Sequence, residues 1–135
     1  IKYLGTVYRS VQNSWNAIGQ IMVDQNKDYQ NAIAYLDKAI ELSEGKDTQA
    51  WINKGNALSN LNKLPEAFIC WETAYEINPG SNVHAMLNKA GWLFYSLNKK
   101  SEALNLLAKV RDEIEINNPF YGQLVQLYNE INNAS

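Results

Sequence analysis

Residues 47–81 read DTQAWINKGNALSNLNKLPEAFICWETAYEINPGS. A polar break, SNLNKLP at 59–65, divides this stretch, and Asn78-Pro79-Gly80 stops it. After the break, Ala67, Phe68, Trp71, Ala74 and Tyr75 recur at intervals of three and four, which places them on one face of a helix. Pro65 suits the first helical turn, where its missing N–H has no intrahelical partner to lose. The stretch is therefore predicted to be a helix, a short turn and a second helix.

The same unit recurs on both sides. Gly19, Gly55 and Gly91 lie 36 residues apart, and Trp15 and Trp51 each precede their glycine by four. Ala32, Ala67 and Ala103 follow the glycines by 13, 12 and 12 residues, across the polar breaks DQNKD, SNLNKLP and SLNKK. In the first copy Tyr29 to Leu42 carries an apolar stripe with Asp37, Lys38 and Glu41 between. In the third, Ser101 is a plausible N-cap for a helix running through Ala103, Leu107, Val110 and Ile114 to Asn117-Asn118-Pro119. Pro119 to Ile131 has Phe120, Leu124, Leu127, Tyr128 and Ile131 on one side and Gln123, Gln126, Asn129 and Glu130 opposite, as expected of a helix closing the array. Leu4, Gly5 and Tyr8 have the spacing of a first helix without a second one after it. Residues 1–12 are accordingly expected to be a helical cap on the first unit or the remnant of a preceding repeat. The division is 1–12, then repeats at 13–46, 47–81 and 82–117, then a closing helix at 118–135, all in one domain.

Composition narrows the chemistry. The chain has 135 residues, 12 Lys plus Arg against 14 Asp plus Glu, and a net charge of -2, so it lacks the basic excess that grips phosphate backbones. One Cys and one His exclude a disulfide scaffold and a zinc finger. No apolar run approaches a membrane span, and the first ten residues lack a signal-peptide core. A reducing, cytoplasmic setting is expected. Because the chain starts with Ile, it is expected to be a piece of a longer protein, although processing or numbering would look the same. No phosphate-cradling loop or metal-ligand cluster is present, no cofactor is expected, and neither His84 nor Cys70 has a sequence partner of the kind a nucleophilic site needs, so no enzymatic role is expected.

Trp51, Gly55, Leu58, Ala67, Trp71, Ala74 and Pro79 fall where the tetratricopeptide repeat family places its signature residues, and the whole pattern resembles that family. The first copy supplies Trp15, Ile18, Gly19, Met22, Ala32, Leu36 and Ala39, with one extra residue in its inner turn. The third supplies Leu87, Ala90, Gly91, Phe94, Ala103, Leu107 and Val110. The resemblance covers about residues 14–117 and implies an all-α fold, a right-handed α-solenoid of three helix pairs with a closing helix. Small residues at the three glycines and alanines are expected to let the paired helices approach closely.

That resemblance also implies protein binding in a concave groove lined by the first helices. Carried onto this chain, the groove positions include Asn16, Gln20, Gln49, Asn53, Asn56, Asn60, Asn88, Lys89, Trp92 and Tyr95. Amide side chains there suit an extended backbone, since each carries donors and an acceptor. The competing reading is a polar, solvated helix face in an Asn-rich chain. Trp92 and Tyr95 are either an exposed aromatic anchor or residues covered by the closing helix. The charged clamp of chaperone-tail binders is not reproduced at Asn16, Gln20, Asn53, Ala85 and Lys89. The expected partner is a protein or peptide, with no nucleic acid or membrane. RNA binding by a helical repeat and self-association through the end repeats are the alternatives.

Overall fold

The computed structural model describes the backbone of residues 2–134 and the side chains of residues 11–134. Among them are seven α-helices and no strand. No described helix is long and apolar enough to cross a membrane. The chain forms two compact units, residues 1–77 and 78–135.

Unit 1 contains α1 (Lys2–Ile21), α2 (Tyr29–Leu42), α3 (Thr48–Asn60) and α4 (Leu64–Ile77). Each helix packs on the next in sequence. Ala32, Leu36 and Ala39 of α2 are fully buried at intervals of four and three, and they form one core with Val23, Ala50 and Ala57. Leu58, Ala67 and Cys70 form a second core between α3 and α4. The predicted role of the small residues holds here. A Cβ on Gly19 would lie 2.6 Å from the Leu36 side chain, and one on Gly55 would run into the Trp71 indole. Asp47 caps α3, its Oδ1 accepting from the Ala50 N–H at 3.1 Å. Pro65 falls in the first turn of α4, as expected.

Residues 2–12 are not a separate element. They continue without a break into the helix that carries Trp15 and Gly19. The expectations for the side chains of Leu4 and Tyr8 lie outside the described residues.

Unit 2 contains α5 (Val83–Gly91), α6 (Lys100–Glu113) and α7 (Tyr121–Asn133). Leu107 and Val110 of α6 are fully buried, as are Leu124 and Ile131 of α7, and α7 packs on both α6 and α5. Lys100 Nζ donates to the carbonyls of Asn132 at 3.2 Å and Ala134 at 2.7 Å, a cation satisfying carbonyls at the C-terminal end of α7. Three boundary expectations are corrected. Lys99, not Ser101, precedes α6, and no side chain caps that helix. Helix α6 stops at Glu113, where Ile114 turns extended and is buried, so the chain leaves the helix before the Asn-Asn-Pro signal. Helix α7 begins at Tyr121, after Asn118 Oδ1 accepts from the Phe120 N–H at 2.9 Å in an Asx turn.

The inner turns share one device. Lys27, Asn62 and Asn98 take left-handed φ of 54°, 61° and 55°, each five residues before its alanine. Before Lys27 and Asn98 the helix widens into a π-helical turn, at Met22–Asn26 and Trp92–Ser96. The first copy's extra residue falls in that stretch. The third copy widens with no extra residue.

Candidate functional site

The amides of unit 1 are largely engaged with one another. Asn53, the one buried polar residue among the described residues of unit 1 at 4% exposure, donates through Nδ2 to Asn16 Oδ1 at 3.1 Å and accepts at Oδ1 from Gln49 Nε2 at 3.2 Å. Beside them Gln12 Nε2 donates to Asp47 Oδ2 at 2.9 Å, so a polar seam ties α1 to α3. Asn56 is engaged differently. Its Oδ1 accepts from Trp71 Nε1 at 3.1 Å, while the same indole N–H also reaches the Ile52 carbonyl at 3.2 Å. Asn60 turns back on its own helix, donating to the Asn56 carbonyl at 2.8 Å. Of the predicted amides in unit 1, Gln20, Gln49 and Asn60 are exposed.

Unit 2 has an open cleft of about 320 Å³ between α5 and α7, lined by His84, Leu87, Asn88, Gly91, Trp92, Gln123 and Leu127. Its volume is near the lower end of ligand-sized clefts, room for one or two side chains. Leu87, Trp92 and Leu127 make it mainly apolar, and His84, Asn88 and Gln123 are exposed polar groups at its rim. The His84 ring lies 5.4 Å from that of Phe120, tilted by 36°, which holds the imidazole beside α7.

Two expectations for this region are corrected. Gly91 is no close-packing glycine: a Cβ there would meet nothing within 4 Å, so the missing side chain leaves the cleft open. Trp92 and Tyr95 do not line the same cleft. Trp92 is half-buried in the cleft, while Tyr95 is 67% exposed outside it, with its ring edge-on to Phe94 at 4.8 Å. The π-helical turn takes up more residues per revolution than an α-helix and swings Tyr95 away from the Trp92 face.

Asn88 and Trp92 are thus the predicted site residues that share a cleft. His84, Gln123 and Leu127 are lining residues that sequence reasoning missed. Gln123 and Leu127 were legible only as the polar and apolar sides of a closing helix, and His84 only as a polar residue near a helix start.

Cys70 is 4% exposed. Burial pushes its thiol above the ordinary range, with Lys54 opposing and Asp37 adding to the shift. Lys54 Nζ itself pairs with Asp37 Oδ1 at 2.7 Å. Among the described residues no group of three or more His, Cys, Asp or Glu side chains comes together to hold a metal ion.

Comparison with known proteins agrees with this architecture. No curated protein sequence matches significantly. Among solved structures, the TPR2B domain of yeast Sti1, determined as a complex with pHsp70, superposes with a TM-score of 0.67 at 24% identity, covering 91% of this chain and 97% of that one. At that identity the likeness carries the fold, an all-α solenoid of helix pairs. The sequence model of the tetratricopeptide repeat matches residues 12–46 and 48–81, just over half of the chain. The chain belongs to the tetratricopeptide repeat family.

Proposed function

We propose that the chain is a protein-interaction module that takes an extended segment of a partner protein into the α5–α7 cleft. The observation that carries this reading is the cleft itself, where a half-buried Trp92 and the open space at Gly91 sit beside the amides of Asn88 and Gln123. An apolar side chain of the ligand would lie against Trp92, Leu87 and Leu127. The two amides would pair with its backbone, since each offers donors and an acceptor. Family membership supports a protein or peptide as the class of partner, and so does the similar TPR2B domain, solved with pHsp70.

Lys89 and Tyr95 on unit 2 are proposed as secondary contacts, and Gln20, Gln49 and Asn60, which belong to unit 1, are not part of the proposed site. Asn16, Asn53 and Asn56 support the repeat pairs more than they read a ligand, because their amides are already engaged. A clamp for a terminal carboxylate is not part of the proposal: Asn53 and Ala85 are buried. The ligand segment is uncharged or weakly charged, no catalytic role is proposed, and the setting is cytoplasmic.

Selection of a random peptide library on the intact chain, followed by titration calorimetry of the recovered peptides, tests the reading. Peptides with an apolar anchor are expected to bind the native chain and to lose at least tenfold in affinity against Trp92→Ala/Asn88→Ala. Equal affinity for both proteins, or selection of no peptide alongside firm binding of single-stranded RNA, overturns it.

A further inference from the structure

The space at Gly91 has a filled counterpart in the second repeat. Trp71 meets three positions of α3: its ring covers Gly55, and its Nε1 donates to the Ile52 carbonyl at 3.2 Å and to Asn56 Oδ1 at 3.1 Å. With 3.6 residues per turn these positions share one face of the helix. Thirty-six residues on they are Asn88, Gly91 and Trp92, and all three line the α5–α7 cleft. The frame holds this far, because α5 is regular helix through Gly91 and the π-helical turn begins only at Trp92. The face of α3 that Trp71 covers is therefore the face of α5 that lies open. Leu107, which stands where Trp71 stands, is fully buried and leaves a Cβ on Gly91 with nothing within 4 Å.

We propose that the anchor taken by the cleft is an indole, the side chain of a tryptophan in the partner segment, seated over Gly91 as Trp71 is seated over Gly55. This rests on the cleft reading above and names its ligand. Two observations single out an aromatic ring. With no Cβ at Gly91, a flat ring lies directly on the helix backbone, in a cleft of about 320 Å³. Trp92 takes the place that Asn56 has in the second repeat, and a ring set against it gains offset or edge-to-face contact that an aliphatic side chain does not. The first repeat marks the contrast: there Leu36 covers Gly19, and the residue equivalent to Trp92 is an exposed Gln20. The indole N–H finds its acceptor in the same frame. The Asn88 carbonyl accepts from the Trp92 N–H and has a second lone pair, as the Ile52 carbonyl offers Trp71. Gly91 is then the specificity-determining residue, since any side chain there takes up the ring's place.

Titration of the intact, isotope-labelled chain with uncharged peptides of the form acetyl-Gly-Ser-Xaa-Ser-Gly-amide, where Xaa is Trp, Phe, Leu or Ala, tests this by NMR. The tryptophan peptide is expected to shift the Gly91 and Gln123 backbone resonances to saturation. It should bind roughly tenfold more tightly than the leucine peptide, with the phenylalanine peptide between them. Gly91→Ala, checked for native helical circular dichroism, should weaken the tryptophan peptide roughly fivefold or more. A leucine peptide that shifts the same resonances and binds as tightly as the tryptophan peptide overturns the indole and leaves the cleft reading standing. A Gly91→Ala chain that binds the tryptophan peptide as the native chain does has the same consequence. If no peptide moves either resonance, the indole and the cleft reading both fall.

Discussion

Gly55 and Gly91 stand 36 residues apart in the same sequence frame, yet their surroundings are opposite. Against Gly55 lies the Trp71 indole, which also donates to Asn56 and to the Ile52 carbonyl. Against Gly91 lies open space. Four residues beyond each repeat's alanine stand Leu36, Trp71 and Leu107, and the first two crowd Gly19 and Gly55, so it is the placement of the third and not its type alone that differs. Leu107 is fully buried within unit 2, but it does not reach the glycine. One sequence signal therefore does two jobs: it permits close packing where a large partner fills the gap, and it leaves a cleft where none does.

The contrast breaks most readily at Gly55. Gly55→Ala forces the Trp71 ring to move and should cost about 1–3 kcal/mol of unfolding free energy, as overpacking commonly does, measured by chemical denaturation. Asn53→Ala removes both hydrogen bonds of a buried amide and should cost about 1–2 kcal/mol by the same measurement. Asn88→Ala, at an exposed rim position, should stay within about 0.5 kcal/mol of the native chain. If Asn53 and Asn88 cost the same, unit 1 is not the closed, self-satisfied region described above.

Gly91→Ala runs the other way. Its backbone is ordinary right-handed helix, with φ -59°, and the added methyl meets nothing, so lower chain entropy in the unfolded state should raise stability by about 0.5–1 kcal/mol. A loss would mean that Gly91 is as crowded as Gly55.

The smallest effect concerns Cys70. Because the folded chain holds this thiol above its ordinary range, its contribution is fully present below the unfolded thiol pKa. It is lost as pH rises through the raised folded value, when ionising the buried group becomes costly. Denaturation midpoints of the native chain should therefore fall over that alkaline window more than those of Cys70→Ala, and parallel curves would remove Cys70 from the account.

Much of the architecture could be read from residue spacing. The intervals of Trp15 and Trp51, the three glycines and the three alanines predicted helix pairs, because helical periodicity and small-residue packing write directly into sequence. Other features depend on what the chain meets in space. The π-helical turn at Trp92–Ser96 has no extra residue to announce it, since it rests on a shift in hydrogen-bond register. Asn53 and Asn88 look alike as amides on first helices, and only the fold shows that one is closed between Asn16 and Gln49 while the other rims a cleft. Residues 1–12 looked separate because no second helix follows them, whereas a helix without a breaker simply runs on to Ile21.

The central claim, that a partner segment enters the α5–α7 cleft rather than meeting the amides of unit 1, can be tested with the chain's own tryptophans. The four are Trp15, Trp51, Trp71 and Trp92, and each can be assigned by fluorotryptophan labelling with single Trp→Phe changes. When a library-selected peptide is titrated and followed by fluorine NMR, the Trp92 resonance should shift to saturation while those of Trp51 and Trp71 hold still. A Trp92 resonance that stays fixed at saturating peptide, with Trp51 or Trp71 moving instead, would contradict the claim.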